Sequence, residues 1–450
     1  MNMNWGIKAL PGIALVGLSL GLFACNPDDP NVLGGSPVVG TGKPCPPDTT
    51  GGMGGTTATG GGNGGATAGM GGSGGSTSAS SGASSSSGGA LTGTVLDERV
   101  VAYAEALRTA SLKLTGKLPK LDEIEGIRTA ANPKSVYETY IDAYMQSPRF
   151  AKLMIEHYRN TFRMGGAAAG QVPSRETAPT FAAKLVVEGS DYRQLFTATS
   201  GTCPTFDPAT GMFTPADCPN GPAAAPTAGI LTDAGLHFQY ASAAGFRRTR
   251  FIQETFACHK MPAEWRPDPQ PKGAGTYTSP WPFESIGDLS NGGRLAFQDT
   301  SSAICANCHT TMNHRSPLVA AYDDFGKYVE PTPDAMDGIL TYSMTVPVEN
   351  SPKAKFSDYL IPGEMTAWKF GKPAANLLEF GQRMAEDDEV ARCSVVRTWN
   401  YAFSKGDAVY DLSDVPDSVI GPLVQQFKAN GYNLRDIVRA VFVHDDFVRY

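Results

Sequence analysis

The chain has no excess of basic side chains: 37 lysines and arginines stand against 44 acidic residues in 450 positions. A surface that attracts polyanions needs such an excess, so a nucleic-acid partner is not expected. Charge is missing altogether from Gly51 to Thr94, and from Asn26 to about Gly93 there is almost no large apolar side chain. Such a stretch cannot bury enough surface to offset the entropy of ordering, so residues 25–94 read as a flexible tether spanning on the order of 45 Å. Within it, Gly60, Gly62 and Gly65 fit a dinucleotide fingerprint and Gly71, Ser73 and Gly75 fit a nucleophile elbow. Neither has a strand-turn-helix setting, and a tract this rich in Gly and Ser produces such matches by chance. No hydrolytic motif exists outside the tether. Alternation of apolar and polar residues over strand-length segments is also lacking, so the expected fold class is all-α, a multi-helix globular region with long irregular loops.

Long apolar runs are scarce as well. The run from Ala9 to Ala24 follows Lys8, is too short to span a bilayer comfortably, and ends in Leu22-Phe23-Ala24-Cys25, which resembles a bacterial lipoprotein cleavage box. Residues 1–24 are therefore expected to be a removed signal peptide, with Cys25 lipidated. An uncleaved anchor or a plain secretory signal would also export the chain. Asn26 stands where the inner-membrane retention signal of enteric bacteria has Asp, so the expected location is the cell envelope, anchored by lipid to the outer membrane, periplasmic or surface-exposed.

Order is expected from about residue 95. Val100, Tyr103, Ala104, Leu107, Ser111 and Leu114 recur at helical spacing and Gly116 is a plausible stop. Further helices are predicted from Ser135 to Ser147, from about Arg149 to Met164, near Glu176 to Glu188, from roughly Thr232 to Cys258, and again over the last hundred residues. There, Leu434, Ile437, Val438, Val441 and Phe442 form one stripe behind a capping Asn433. Between Pro262 and Gly293 the many Pro, Gly and aromatic residues predict an irregular wrap. The stretch from Gly201 to Pro226 is bracketed by Cys203 and Cys218, which in an exported chain most simply close a stapled loop. Cys45 stands alone in the tether. The expected divisions are an N-terminal helical domain over 95–258, a haem segment over 259–370 and a C-terminal helical domain over 371–450.

One motif carries chemistry. Cys305-Ala306-Asn307-Cys308-His309 has the Cys-X-X-Cys-His spacing of c-type haem attachment, and the chance of one such match from eight cysteines and six histidines is about 0.002. Two cysteines three positions apart lie one helical turn from each other on one face, where both sulfurs can form thioethers with the vinyl groups of a haem. His309 then meets the iron as proximal ligand. Zinc, a thioredoxin-like pair and a local disulfide compete with this reading. No second Cys-X-X-Cys completes a zinc site, Cys258-His259 being the only other pair, and the surroundings are helical rather than βαβ.

The second axial ligand has several candidates. Met312 and His314 share a segment with His309, so neither easily crosses to the opposite face of the ring. Met344 and Met365 come first and Met336 next, with His237 or His157 as alternatives. His157 also sits on the mostly apolar stripe of Phe150, Leu153, Met154, Tyr158 and Thr161, where a packed core histidine is the commoner case.

From about Val95 to Tyr450 the sequence resembles a family of planctomycete and myxobacterial exported proteins, in which helical domains of uncharacterised function surround a cytochrome c motif. The resemblance is most specific from Arg294 to Tyr328, where the Cys305 to His309 motif is followed by Tyr322-Asp323-Asp324-Phe325-Gly326, similar to the family's aromatic-Asp-X-X-Gly run. Leu112 to Glu123, Pro148-Arg149-Phe150 and Glu176 through Ala198 resemble its N-terminal region, and Ala391-Arg392-Cys393, Trp399 to Phe403 and Leu434 to Phe447 its C-terminal domain. After the histidine the family commonly has an Asp-Pro-X-Gly turn, whereas this chain has Asn313-His314-Arg315-Ser316-Pro317, which places the local turn in question. The resemblance implies one covalent haem c and export. It also implies cysteines at positions such as Cys258 and Cys393, whose bonding would tie the middle region to the C-terminal domain.

The function expected from these readings is single-electron transfer by an exported mono-haem cytochrome, with membrane contact through the lipid and a redox protein as partner. A haem-dependent enzyme or ligand sensor, and a binding or structural surface lipoprotein, are the other classes considered. Di-haem peroxidases need a second attachment motif, which the chain lacks.

Overall fold

Helices begin where the sequence supplies a cap. The computed structural model describes residues 98–450 except 219–226, 242, 263–265, 267, 284–302, 347–351 and 410, so the expected signal peptide, Cys25 and the tether lie outside the described residues. Helix α1 spans Tyr103–Thr115 and ends on Gly116, whose φ of 67° is the left-handed conformation that glycine adopts without strain. Helix α2 covers Leu121–Thr129. In α3, Pro133–Met145, and α4, Pro148–Phe162, a proline opens the first turn, where its missing N–H is not needed. The Asn132 side chain accepts from Ser135 N at 3.2 Å, and Ser147 from Phe150 N at 3.3 Å. Pro148 thus begins one helix in addition to following another. Helices α5, Thr177–Glu188, and α6, Gln194–Thr197, complete the N-terminal part.

The expected helix from Thr232 to Cys258 is interrupted. It divides into α7, Ala234–Gln239, and α8, Phe246–Phe256, because Ala244 and Gly245 take positive φ values of 59° and 78° between them. Helix α9, Ala303–Ala320, carries the Cys-X-X-Cys-His motif, and residues 313–317 remain helical within it, Pro317 included. After it come α10, Leu377–Ala385, α11, Asp388–Phe403, α12, Asp417–Ala429, α13, Leu434–Phe442, and α14, Asp445–Val448. Asn433 caps α13 as expected, its side chain accepting from Arg435 N at 3.0 Å and Asp436 N at 3.3 Å.

The protein is mostly helical rather than all-α. Strands β1, Thr205–Asp207, and β2, Met212–Thr214, form a hairpin inside the Cys203–Cys218 bracket. A second hairpin, β3, Gln270–Lys272, with β4, Gly275–Tyr277, lies in the expected irregular wrap. An antiparallel sheet of β5, Thr332–Pro333, β6, Leu340–Thr345, and β7, Lys353–Lys355, follows α9, and β8, Ala367–Lys369, pairs with β9, Lys372–Pro373. Only β6 exceeds three residues, so most of these strands complete barely one period of alternation.

One apolar core runs from Ala104 on α1 to Val448 on α14 and includes residues from all three expected segments, among them Phe251, Val319, Trp368 and Phe442. The two ends of the described chain pair with each other at the surface beside it. Val100 N and Tyr450 N each donate to the other residue's carbonyl oxygen, at 3.1 and 3.0 Å. Tyr137 Oη donates to Phe442 O at 2.6 Å, and Arg439 ion-pairs with Asp142 at 2.6 Å.

Cys258, just past α8, is bonded to Cys393 on α11, with Cα atoms 5.4 Å apart. The bond closes a loop of 135 residues, and constraint of the unfolded chain grows with loop length. Replacing both cysteines by alanine is expected to cost about 3 kcal/mol, read as a lower denaturant midpoint relative to the unaltered protein.

Candidate functional site

Helix α9 presents two different stripes near its start. Positions 303, 306, 307 and 310 form the anchoring one. Ala303 and Ala306 are buried against Tyr277 of β4, with Phe283 packed beside them. Asn307 is the stronger anchor: its Nδ2 donates to Thr276 O at 2.7 Å and its Oδ1 accepts from Thr278 N at 2.8 Å. Thr310 Oγ1 donates to Ser279 Oγ at 2.7 Å. Residue 307, one of the two unspecified positions of the motif, therefore fixes the first turns of α9 to the β3–β4 hairpin.

The other stripe holds Cys305, Cys308, His309 and Met312. Both cysteines are half-buried free thiols, whereas the other four cysteines of the described region are paired in disulfides. The local disulfide that competed with the haem reading is not formed. Burial pushes the Cys308 thiol above its ordinary range, and the neighbouring Cys305 adds to the shift, so the sulfur carries its proton at neutral pH.

His309 meets the Phe246 ring edge-on, with centroids 5.0 Å apart. Its Nδ1 lies 3.4 Å from Asn313 Oδ1, a contact that the tautomer with its proton on Nδ1 makes as a donor, leaving the lone pair on Nε2. Burial lowers the imidazole's pKa, which keeps it neutral and able to ligate.

Beside this stripe is a cavity of about 510 Å³. Cys308, Met312 and Phe246 line it together with Arg247, Arg250 and Glu254 of α8 and the Lys260–Met261 segment. Arg250 Nε donates to Glu254 Oε1 at 2.8 Å, and the Arg247 guanidinium lies over the Tyr240 ring, 5.6 Å from its centroid.

Two other arrangements hold α9 in place. Arg248, fully buried, donates five hydrogen bonds: two to His237 O, and one each to Val319 O, Tyr322 O and Asp323 O, all between 2.7 and 3.0 Å. These acceptors include carbonyls that the end of a helix leaves without intrahelical donors. Gly326, with φ of 74°, brings its α-carbon so close to α7 that a β-carbon would lie 2.0 Å from Ala234 O. The Asp323 side chain accepts from Phe325 N at 2.9 Å and Lys327 N at 2.8 Å, closing the turn that follows α9. In the middle of α9, Arg315 donates to Trp368 O and to Gln253 Oε1, with its guanidinium 4.1 Å from the Trp368 ring centroid. His314 stacks on Trp281 at 4.1 Å.

The expected second ligands are spread widely. Met336 is 97% exposed and Met365 57%. Met344 is buried; its sulfur lies 3.7 Å from the point a β-carbon on Gly245 would occupy, next to Ser316 and Val319, about two turns of α9 beyond His309. His237 Nε2 donates to Leu231 O at 2.8 Å while its ring stacks on Tyr322 at 3.6 Å. His157 packs between Tyr158 and Tyr401, and burial drives its pKa down to about 3. None of these five lines the cavity beside Cys308. Met261 and Arg250, which line the cavity at Cys308, carry no sign in the sequence, and Asn307 and Asn313 stand out there only as members of the motif and of the run after it.

Among the described residues, the only three His, Cys, Asp or Glu side chains that converge on a common point are Cys203, Cys218 and Asp233, and that pair of cysteines is disulfide-bonded. Cys305, Cys308 and His309 do not close on one centre as a tetrahedral zinc site requires. No helix among the described residues is long and apolar enough to cross a membrane. No protein-family model, curated protein or solved structure matches the chain.

Proposed function

We propose that this chain is an exported lipoprotein cytochrome that holds one covalent haem c and transfers single electrons outside the cytoplasm. The observation that carries the reading is the stripe of α9 on which two unpaired thiols, one turn apart, are followed by a neutral imidazole, with a cavity beside Cys308. The donor set fits a porphyrin better than a small ion, because a haem takes its sulfurs at separated vinyl positions and its nitrogen at the centre. When bound, the haem supplies a one-electron iron couple.

The chain's own residues have definable parts in this. Cys305 and Cys308 would give the two thioethers, and His309 Nε2 would be the proximal ligand. Asn313 would orient the imidazole through Nδ1 and raise its basicity, as outer partners of metal-bound histidines do. Asn307 and Thr310 hold the motif's backbone against the β3–β4 hairpin, so the attachment points are set before any ligand arrives. Two disulfides among the described cysteines agree with an oxidising compartment, and the lipoprotein-like segment at residues 22–25 agrees with export.

The test is intact-mass analysis of the full chain expressed with a haem-maturation system. The expected result is the mass of one porphyrin retained under denaturing conditions, with a c-type pyridine haemochrome and a low-spin reduced spectrum. A protein without porphyrin mass removes the redox assignment. A high-spin spectrum that shifts with carbon monoxide or peroxide moves the reading to ligand chemistry.

A further inference from the structure

We propose that the Cys203–Cys218 disulfide is a thiol–disulfide exchange site for dithiols, with the Asp233 carboxyl carrying the proton that the opening bond takes up. The site shares no residue with the haem motif and does not depend on that reading. A carboxylate oxygen of Asp233 and the two sulfurs all lie within 4.8 Å of one another. The sulfurs differ in access, since Cys218 is exposed and Cys203 is buried. Thr202 Oγ1 lies 3.3 Å from Cys218 Sγ, where its hydroxyl can donate to that sulfur when it carries charge.

Asp233 caps α7, its Oδ1 accepting from Leu236 N at 2.7 Å, and its other oxygen accepts from Thr177 Oγ1. A cap needs only an acceptor, which serine or asparagine supplies without a charge. Here the acceptor is a carboxyl sealed from water, and burial, working against the hydrogen bonds from Thr177, Leu236 and Gly235, raises its pKa to about 6. Charged groups on the elements packed around α7 are engaged elsewhere: Arg248 with carbonyls and with the charges of Asp323 and Asp324, Arg175 with Gln239, and Glu176 with Arg159. Burial keeps the His237 and Tyr322 rings neutral.

The bond opens from its accessible end. A thiolate of the dithiol attacks Cys218 Sγ, the sulfur–sulfur bond breaks, and its electron pair leaves on Cys203 Sγ. A thiolate buried there beside a carboxylate is costly. Protonated Asp233 gives it a proton, directly or through one water. The second thiol of the dithiol then attacks its own sulfur in the mixed disulfide and passes its proton to Asp233, while Cys218 departs as a thiolate that solvent protonates. Two electrons and two protons have moved from the dithiol, now a disulfide, to the cysteine pair.

The experiment reduces the full chain with dithiothreitol from acid to mildly alkaline pH, quenches with a maleimide, and reads each cysteine separately by peptide mass mapping. The expected result is a rate at Cys203–Cys218, divided by the fraction of dithiothreitol present as thiolate, that falls at least about tenfold as pH rises through about 6. In Asp233→Asn, which keeps the capping oxygen, the rate should lie below that of wild type at acid pH and stay flat across the range, with unchanged far-ultraviolet circular dichroism. Reduction by a monothiol should leave the mixed disulfide on Cys218. A flat profile in wild type, an inflection that persists in Asp233→Asn, or a mixed disulfide on Cys203 overturns the proposal. Should Asp233→Asn not fold, the wild-type profile and the position of the mixed disulfide decide.

Discussion

Replacing Cys305 and Cys308 together by serine should abolish covalent porphyrin attachment completely while leaving the helical fold in place. Thioether formation needs sulfur, and a serine hydroxyl adds nothing that a vinyl group takes up in its stead. The fold survives because neither thiol anchors α9. That task falls to Asn307, Thr310 and the buried Ala303 and Ala306, on the other stripe of the helix. The two cysteines are only half-buried, so exchange of sulfur for oxygen is expected to cost no more than about 1 kcal/mol. Intact mass and far-ultraviolet circular dichroism of the same sample separate the two effects: zero porphyrin with unchanged helix content is the expected pair of results. Each single serine variant should keep one thioether and yield a haemochrome shifted by the remaining unsaturated vinyl. Full porphyrin mass on the double variant would place the attachment elsewhere in the chain.

Arg248→Met should destabilise the protein by about 4 kcal/mol, the largest stability loss expected from a single substitution outside the motif. The guanidinium is fully buried, and burial depresses its pKa to about 10 against the opposing pull of Asp324 and Asp323. It is held by carbonyl oxygens, those of His237, Val319, Tyr322 and Asp323. Methionine fills much of the volume but donates nothing, so four buried acceptors lose their donors at about 1–3 kcal/mol each, partly offset because a buried cation no longer has to be desolvated. Arg248→Lys should be nearly as damaging, since one ammonium cannot reach acceptors arranged around a planar fork. Urea denaturation measures both, and porphyrin yield should fall in parallel as the end of α9 loosens. A loss below about 1 kcal/mol would show that water replaces the arginine without penalty.

Much of the helical fold was legible because the signals are local. Gly116, Asn433 and the apolar stripe of α13 act within one or two turns of themselves, and all three stand in the structure as the sequence led one to expect. The staple at Cys203 and Cys218 was equally readable, since its partners are 15 positions apart. The strands escaped because two or three residues cannot show a period of two, and because β3–β4 lies in a stretch whose Pro and Gly content argues against regular structure. The break in the expected Thr232–Cys258 helix was hidden in Ala244, a strong helix former that tertiary packing forces into positive φ. Pro317 is a usual signal of a helix end, yet α9 runs on to Ala320, so the run that departs from the family's turn is helical here.

The motif itself could be read from spacing alone, but its surroundings could not. Met261 and Arg250 reach Cys308 from 47 and 58 positions away, and no periodicity connects them. Arg248 is harder still, because a charged residue gives no sign in sequence of being buried among carbonyls. The Tyr322 to Gly326 run does have a local meaning that geometry now supplies. Asp323 ties down the turn through Phe325 N and Lys327 N, and Gly326 provides the φ of 74° and the close approach to Ala234 that any β-carbon would block.

The bond between Cys258 and Cys393 makes a covalent ring of everything between them, with α9 inside it. A protease that cuts once at any surface loop from residue 259 to residue 392 therefore frees neither piece: the nicked chain stays one molecule until a reductant opens the ring. The segment that would carry the iron is thus the part of the protein that a single cleavage cannot release.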